Sequence, residues 1–384
     1  MRDSAEVVIV GAGAMGLSVA YHLAARGLTD VLVLEQGPQA VSGSTARSAA
    51  GVRHQFSSAI NVRLSQYSIA RLKHFAEEVG GDAGLRQIGY LFMIDRAEDW
   101  AQYQRNVAMQ RELGVAVELL TPDAAARLVP GLATDDLLGA TFGPEDGFCD
   151  PIGVARGYLQ RACDLGARLQ TATTVTGIQL QSGRLSGVQT SDGLIGCELL
   201  VNAAGPWAGQ VAALADLELP VQPVRRSLFV TEPFDRLPSD MPLTLDVGSG
   251  FWTRKIGAHA LLGLSRKDEP SSLNTAVDWE WLPMVRAAAC ARIPALKDAQ
   301  IAIERCWAGL YEVTPDANPV LGRHPQLPSY VDVSGFSGHG IMHAPAAGML
   351  IAEEIIDGRA HSLPIDDLRI TRFAHAARSE RNVF

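Results

Sequence analysis

Apolar and polar positions along this chain follow two periods, one of strands and one of helices. Val7 to Val10 is a short unbroken apolar run, the pattern of a strand buried on both faces. Gly11, Gly13 and Gly16 then fit a tight turn into a helix that runs to about Arg26, and Val31 to Leu34 form a second buried strand ending on Glu35. Ala59 to about Val79 reads as an amphipathic helix, Gln87 to Ile94 as a strand, and about Ala97 to Leu128 as helix with one polar face. Pro151 to Leu165 is a helix after the turn Glu145-Asp-Gly-Phe-Cys-Asp150. From Arg168 short strands follow: Leu169 to Val175, Ile178 to Leu180, Leu185 to Thr190, and Leu199 to Val201, which breaks at Asn202-Ala-Ala-Gly-Pro-Trp207. Val221 to about Leu264 alternates between strands and turns. Val331 to Ser334 is a strand that meets Gly335-Phe-Ser-Gly-His-Gly340, and a helix runs from about Ala344 to Asp357.

This order predicts an α/β fold with a discontinuous Rossmann-like nucleotide domain. It would open the chain (1–90), return at 145–215 and close at 320–384. The segments 91–144 and 216–319 would form an α+β substrate domain on an antiparallel β-sheet. Ligands in such folds lie where the domains meet.

The opening motif carries chemistry. In G-x-G-x-x-G, Gly11 makes the turn, Gly13 lets the backbone approach a pyrophosphate, and Gly16 lets the helix pack on the sheet. The helix N-terminus offers N–H groups and a positive dipole end to that pyrophosphate. Glu35 is placed to accept from ribose hydroxyls. The motif does not by itself separate NAD from FAD.

Composition narrows the field. With 384 residues, 47% of them hydrophobic, the chain can build a sizeable core. A net charge of −9 argues against nucleic acid as a partner. No apolar run has the length of a membrane span, and a fingerprint starting at residue 7 leaves no room for a secretory leader. A cytoplasmic protein is therefore expected. Cys149, Cys163, Cys197, Cys290 and Cys306 show neither C-x-x-C nor metal-ligand spacing, and the histidines form no ligand cluster, so no metal site is expected.

Five motifs resemble, in order, those of the D-amino-acid oxidase superfamily of flavoproteins. They are Gly11 to Gly16 with Glu35, Gly43-Ser-Thr-Ala-Arg47, Asn202 to Trp207, Trp307-Ala-Gly-Leu-Tyr-Glu-Val-Thr-Pro-Asp316, and Gly335 to Gly340. Within that superfamily the chain is similar to sarcosine oxidase, glycine oxidase, and the β subunits of sarcosine oxidase and proline dehydrogenase. The resemblance implies FAD. It carries cofactor contacts to Gly11, Gly13, Ala14, Met15, Gly16, Glu35 and Gln36, and to the loop residues Ser44, Thr45, Arg47, Ser48, Gly51 and Val52. It extends them to Val175, Ala203, Ala204, Gly205 and Trp207, and to Gly309, Gly335, Gly338, His339, Gly340, Ile341 and Met342. The second glycine turn feeds a helix whose N-terminus would stabilise negative charge on the flavin pyrimidine.

Departures from the family pattern shape the expected function. Where monomeric sarcosine oxidases carry a cysteine bonded to flavin, this chain has Gly309, and Cys306 lies three residues too early, so the FAD is expected to be non-covalent. Where glycine and D-amino-acid oxidases bind the substrate carboxylate with arginine, this chain has Tyr311, which stands as a candidate catalytic residue in its place. Arg53-His-Gln-Phe56 resembles the sarcosine oxidase segment whose arginine does that work, so Arg53 takes the role. Met342 replaces a second carboxylate partner, for which His343 is a substitute; His54, Trp252 and Arg254 are further candidates for the pocket.

The resemblance implies oxidation of the C–N bond of a small secondary or N-methyl amino acid, with hydride passing to flavin N5 and an imine released. The electron acceptor would be a quinone, a partner protein or oxygen. The lysine that aids oxygen in sarcosine oxidase is Leu261 here, and the family's nearby histidine is Ser265, so a dehydrogenase is expected before an oxidase. A homo-oligomer, or a subunit of a hetero-oligomeric dehydrogenase, fits the family. Two rivals are an FAD-dependent 2-hydroxy-acid dehydrogenase, using His54 or His343 as base, and a non-catalytic flavin-binding subunit or assembly factor.

Overall fold

The computed structural model describes residues 4–375 and 379–383. The first strand, Ser4–Val10, lies inside an eight-stranded sheet. On one side it pairs in parallel with Val31–Leu34, which pairs in turn with Arg168–Gln170. On the other it pairs in parallel with Gly193–Asn202, followed by Leu327–Ser334 and the antiparallel edge Val320–His324. A hairpin of Val175–Gln181 and Arg184–Thr190 extends Gly193–Asn202 away from this core. The central stretches of the parallel strands, Val7 to Val10 and Val31 to Leu34, are apolar and buried because helices cover them. Helix Ala14–Ala25 packs between Pro151–Asp164 and the buried helix Gly340–Ile356, and Ser18 Oγ donates to the Ala344 carbonyl at 2.7 Å across that contact.

A second eight-stranded sheet runs in the order Trp307–Val313, Gln222–Val230, His259–Leu264, Phe251–Ile256, Leu243–Asp246, Tyr90–Ile94, Gly139–Gly143, Glu118–Leu120. Its pairs are antiparallel except Leu243–Asp246 with Tyr90–Ile94. Its own apolar core lies against helix Leu282–Arg292.

The strand expected over Leu169 to Val175 is interrupted between Arg168–Gln170 and Val175–Gln181, where Ala172 takes φ +52°, and three helical stretches also differ from the sequence expectation. The helix expected over 59–79 breaks at His74 into Ala59–Lys73 and Phe75–Glu78. The expected helix 97–128 stops at Glu112; Gly114 turns the chain with φ +84°, Glu118–Leu120 joins the second sheet, and a new helix starts at Pro122, capped by the Thr121 hydroxyl. The last long helix begins at Gly340 rather than Ala344, directly on the second glycine turn.

Candidate active site

One cavity of about 580 Å³ runs between the two sheets. One end is bounded by Glu35, Gln36 and Thr173 to Val175; the middle by Gly11 to Met15, Ser42 to Thr45 and Ala203 to Trp207. The other end holds Arg53, Tyr90, Arg226, Leu228, Leu243, Leu245, Trp252 and Tyr311.

The cofactor end follows from close packing that only glycine permits. Gly11 has φ +107°, and a Cβ there would lie 2.4 Å from the Ala203 carbonyl oxygen. A Cβ on Gly16 would lie 2.0 Å from the Gly11 carbonyl oxygen, so Gly16 seats the helix against the turn without itself lining the cavity. The Ala14 N–H, first of the helix, donates to Thr45 Oγ1 at 3.0 Å. Glu35 accepts from the N–H groups of Ala12 at 3.0 Å and Gly37 at 2.8 Å, which fixes its carboxylate at the strand end. Ser44 Oγ donates to the Leu310 carbonyl at 2.8 Å, tying the small-residue loop to the second sheet.

The second glycine turn closes the middle. Gly338 has φ +97°, and a Cβ there would meet the Tyr311 ring at 2.2 Å. Glu312, on the same strand as Tyr311, accepts the Phe336 N–H at 3.4 Å through Oε1. Its Oε2 is buried without a partner, and burial pushes its pKa up to about 7. His339 also lines the cavity; both ring nitrogens lack a partner, and burial pushes its pKa down to about 3. Unsatisfied polar atoms of this kind are costly unless a ligand meets them. The glycine cradle, the helix N-terminus and these two side chains therefore fit a bound dinucleotide. Glu312 was inside a quoted motif but received no role; its signal was a lone acid in an otherwise apolar strand.

Most residues expected to contact cofactor line this cavity, but Gly16, Val52 and Gly335 do not. Gly309 does, beside Arg47, while Cys306 points elsewhere and donates to the Ala302 carbonyl at 3.3 Å. Of the five candidate catalytic residues, Arg53, Trp252 and Tyr311 reach the cavity. His54 does not: its Nδ1 and its backbone N–H both bond Asp146 Oδ1, at 2.7 and 2.8 Å. His343 does not either: it is sealed behind Phe56, with Nε2 3.0 Å from Ser65 Oγ, and burial holds its pKa well below the ordinary value. Arg254 is also outside, donating to the carbonyls of Ala49 at 3.0 Å and Lys255 at 2.9 Å.

Arg53 is set with unusual care. Gln55 donates to Asp146 Oδ2 and to the Tyr90 carbonyl, both at 3.0 Å, and accepts from Thr141 Oγ1 at 2.7 Å. This network, with His54, holds the whole Arg53 to Phe56 segment rigid. The guanidinium lies 3.9 Å over the Phe56 ring and donates to the carbonyls of Gln55 and Asn382. Only 5% of Arg53 is exposed, and among the described residues no carboxylate pairs with it. The Asn382 contact comes from a C-terminal segment that the sequence reading passed over. Glu380 anchors that segment by accepting from Ser57, Ser58 and Asn61, and Val383 lines the cavity.

Comparison with known proteins now decides the family. The family model described as FAD dependent oxidoreductase matches residues 6–354. The chain belongs to this family. The L-proline dehydrogenase of P. horikoshii superposes with a TM-score of 0.90 and 32% identity, over 97% of this chain and 99% of that one. The glycine oxidase of Geobacillus kaustophilus gives 0.85 and 26%, over 97% and 99%. The FAD-dependent oxidoreductase domain-containing protein 1 of Xenopus laevis is 31% identical, over 99% of this chain and 85% of that protein. Human sarcosine dehydrogenase is 28% identical over 98% of this chain, which spans only 42% of that protein. FAD is the cofactor, and the relationship supports oxidation of a C–N bond in a small amine or amino acid. The expectation of a cytoplasmic protein is overturned: the sarcosine and dimethylglycine dehydrogenases among its relatives are mitochondrial.

Proposed function

We propose that this enzyme oxidises a small secondary or N-methyl amino acid, similar to proline or sarcosine, and does so as a dehydrogenase. The observation that carries this reading is Arg53: a buried guanidinium at the end of the cofactor cavity that no carboxylate of the described residues pairs with. An uncompensated buried charge is expensive, so the site is built for an anionic group that arrives with the ligand. A carboxylate suits it because two N–H groups of the planar fork pair with two oxygens. Trp252, Tyr90, Leu243 and Leu245 give the rest of that end an apolar wall that excludes water and holds the carbon skeleton. Bound FAD supplies the two-electron acceptor for the substrate's α-hydrogen.

No strong base is needed if the amine enters neutral, and among the described residues the cavity is lined by no histidine other than His339. This weighs against the 2-hydroxy-acid alternative, whose base would have been His54 or His343; both are committed to structural bonds outside the cavity. His339, which does line the cavity, is disfavoured as a base because burial lowers its pKa. The expected test is anaerobic: proline, sarcosine and other N-alkyl amino acids are added singly to the yellow protein, beside 2-hydroxyglutarate. Bleaching by an amino acid supports the reading. Bleaching by the hydroxy acid alone, or by no compound in the panel, overturns it in favour of one rival or the other.

A further inference from the structure

Strand Gln222–Val230 carries two adjacent arginines whose side chains leave on opposite faces of the sheet. Arg225 turns away from the cavity and is neutralised, 2.8 Å from Glu269 and 3.4 Å from Asp278. Arg226 turns inward. It lines the cavity, as does Leu228 two positions on along the same face. Its guanidinium carbon lies 5.2 Å from the centre of the Tyr311 ring. Nη1 donates to the Arg225 carbonyl at 3.0 Å, while Nε is buried with no partner. Among the described residues no carboxylate forms an ion pair with it. Burial lowers its pKa, but a guanidinium starts so high that it stays charged.

The substrate end thus holds two guanidinium groups, Arg53 and Arg226, in a protein with net charge −9; among the described residues neither forms an ion pair, and Glu269, the carboxylate whose charge reaches Arg226, is bonded to Arg225. Like charges in one poorly solvated cavity repel, and each pays a desolvation cost. Tyr90, Leu228, Leu243, Leu245 and Trp252 line the same end, and Tyr311 feels the charge of both guanidinium groups. We infer that the substrate is an amino acid with a second anionic group, a dicarboxylate, whose far end is held by Arg226. The inference rests on the reading of Arg53 as the holder of the first carboxylate. It would make Arg226 a specificity-determining residue: a monocarboxylic amino acid leaves one charge unmatched, whereas a dicarboxylic one satisfies both.

The test uses unreactive ligands on the oxidised holoprotein and reads the flavin absorbance spectrum. Glutarate and butyrate have similar carbon chains but differ by one carboxylate. Glutarate is expected to perturb the spectrum with a dissociation constant at least ~10-fold below that of butyrate, as for a charge pair formed in a desolvated site. Arg226→Met is expected to erase that advantage while leaving butyrate affinity and FAD content unchanged. Arg226→Gln serves if the methionine variant does not fold, and the comparison of the two ligands in the unaltered protein needs no variant. Equal binding of the two ligands, or an advantage that survives in Arg226→Met, overturns the inference while leaving the Arg53 reading intact. Loss of FAD from Arg226→Met also overturns it, because the arginine would then serve the cofactor. No spectral change with either ligand overturns the Arg53 reading and this inference together.

Discussion

The guanidinium of Arg53 donates to the main-chain carbonyl of Asn382, 329 positions further along the chain. The bond orients the side chain without neutralising it, because a carbonyl supplies a dipole and no net charge. Glu380 holds the segment in place through the Ser57 and Ser58 hydroxyls and N–H groups. The arginine is thus fixed before any substrate arrives, and its positive charge stays available.

Replacing Arg53 by alanine or lysine should therefore leave FAD bound and weaken substrate by roughly 2–4 kcal/mol, the scale of a lost buried charged pair. Steady-state kinetics and the flavin absorbance of the purified variant check both halves. Unchanged substrate affinity in Arg53→Ala would show that the carboxylate binds elsewhere, with Arg226 the cation left in that end of the cavity.

FAD should be held without a covalent bond. Gly309 occupies the position of the bonded cysteine in monomeric sarcosine oxidases, and the Cys306 thiol is turned to the Ala302 carbonyl, outside the cavity. Acid precipitation is expected to release all the yellow colour into the supernatant. Flavin fluorescence that stays with the protein on a denaturing gel would contradict this.

Much of the cofactor end was legible in the sequence because it depends on neighbours close in the chain. Gly11 and Gly16 are glycines for a reason visible in ten residues: the turn needs positive φ, and the helix must touch it. The substrate end was less legible because its meaning is set by strand pairing and distant partners. Arg225 and Arg226 are identical in type and adjacent, and only the folded chain shows that Arg226 lines the cavity while Arg225 meets Glu269 and Asp278. His54 looked like a candidate until Asp146, 92 positions away, claimed its ring nitrogen. Glu380 and Asn382 lie in a short polar stretch with no periodicity, so nothing local pointed to Arg53. The false continuity of the helix over 97–128 was avoidable, since Gly114 and Thr121-Pro122 are ordinary stop and start signals.

Electron transfer to oxygen should be slow. Leu261 is wholly buried where sarcosine oxidase has its lysine, and Lys255 is spent on the carbonyls of Phe234 and Ala258, outside the cavity. Without a lysine at that position, the first electron passes less readily to oxygen. With the best substrate, an artificial quinone or dye should support turnover at least about tenfold faster than air. Peroxide formed as fast as the dye is reduced would contradict this and would direct attention to Arg226.

Stability should depend on pH through Asp332. Its carboxyl is buried in register with Asn202, 3.4 Å from the Asn202 amide, with Oδ2 unpartnered, and burial pushes its pKa up to about 7. An unfolded chain gives aspartate a value of about 3.9, so the folded protein binds this proton more tightly. The contribution is complete at low pH and is lost as pH rises through about 7. Asp332→Asn should therefore gain about 1–3 kcal/mol relative to the unaltered protein between pH 5 and pH 8. Thermal unfolding at the two pH values measures it, and an identical difference at both would remove Asp332 from the account.

The central claim is that the substrate's carboxylate, gripped by Arg53, brings a C–N bond to the flavin. Anaerobic reduction of the bound FAD by proline, set against pyrrolidine, the same ring without the carboxylate, tests it most directly; if another amino acid bleaches the protein faster, it and its decarboxylated counterpart replace the pair. The amino acid should bleach the flavin, and at equal concentration the bare amine should be slower by about 100-fold or more, the cost of losing a charged pair in a desolvated site. Equal rates for the two compounds would contradict the account.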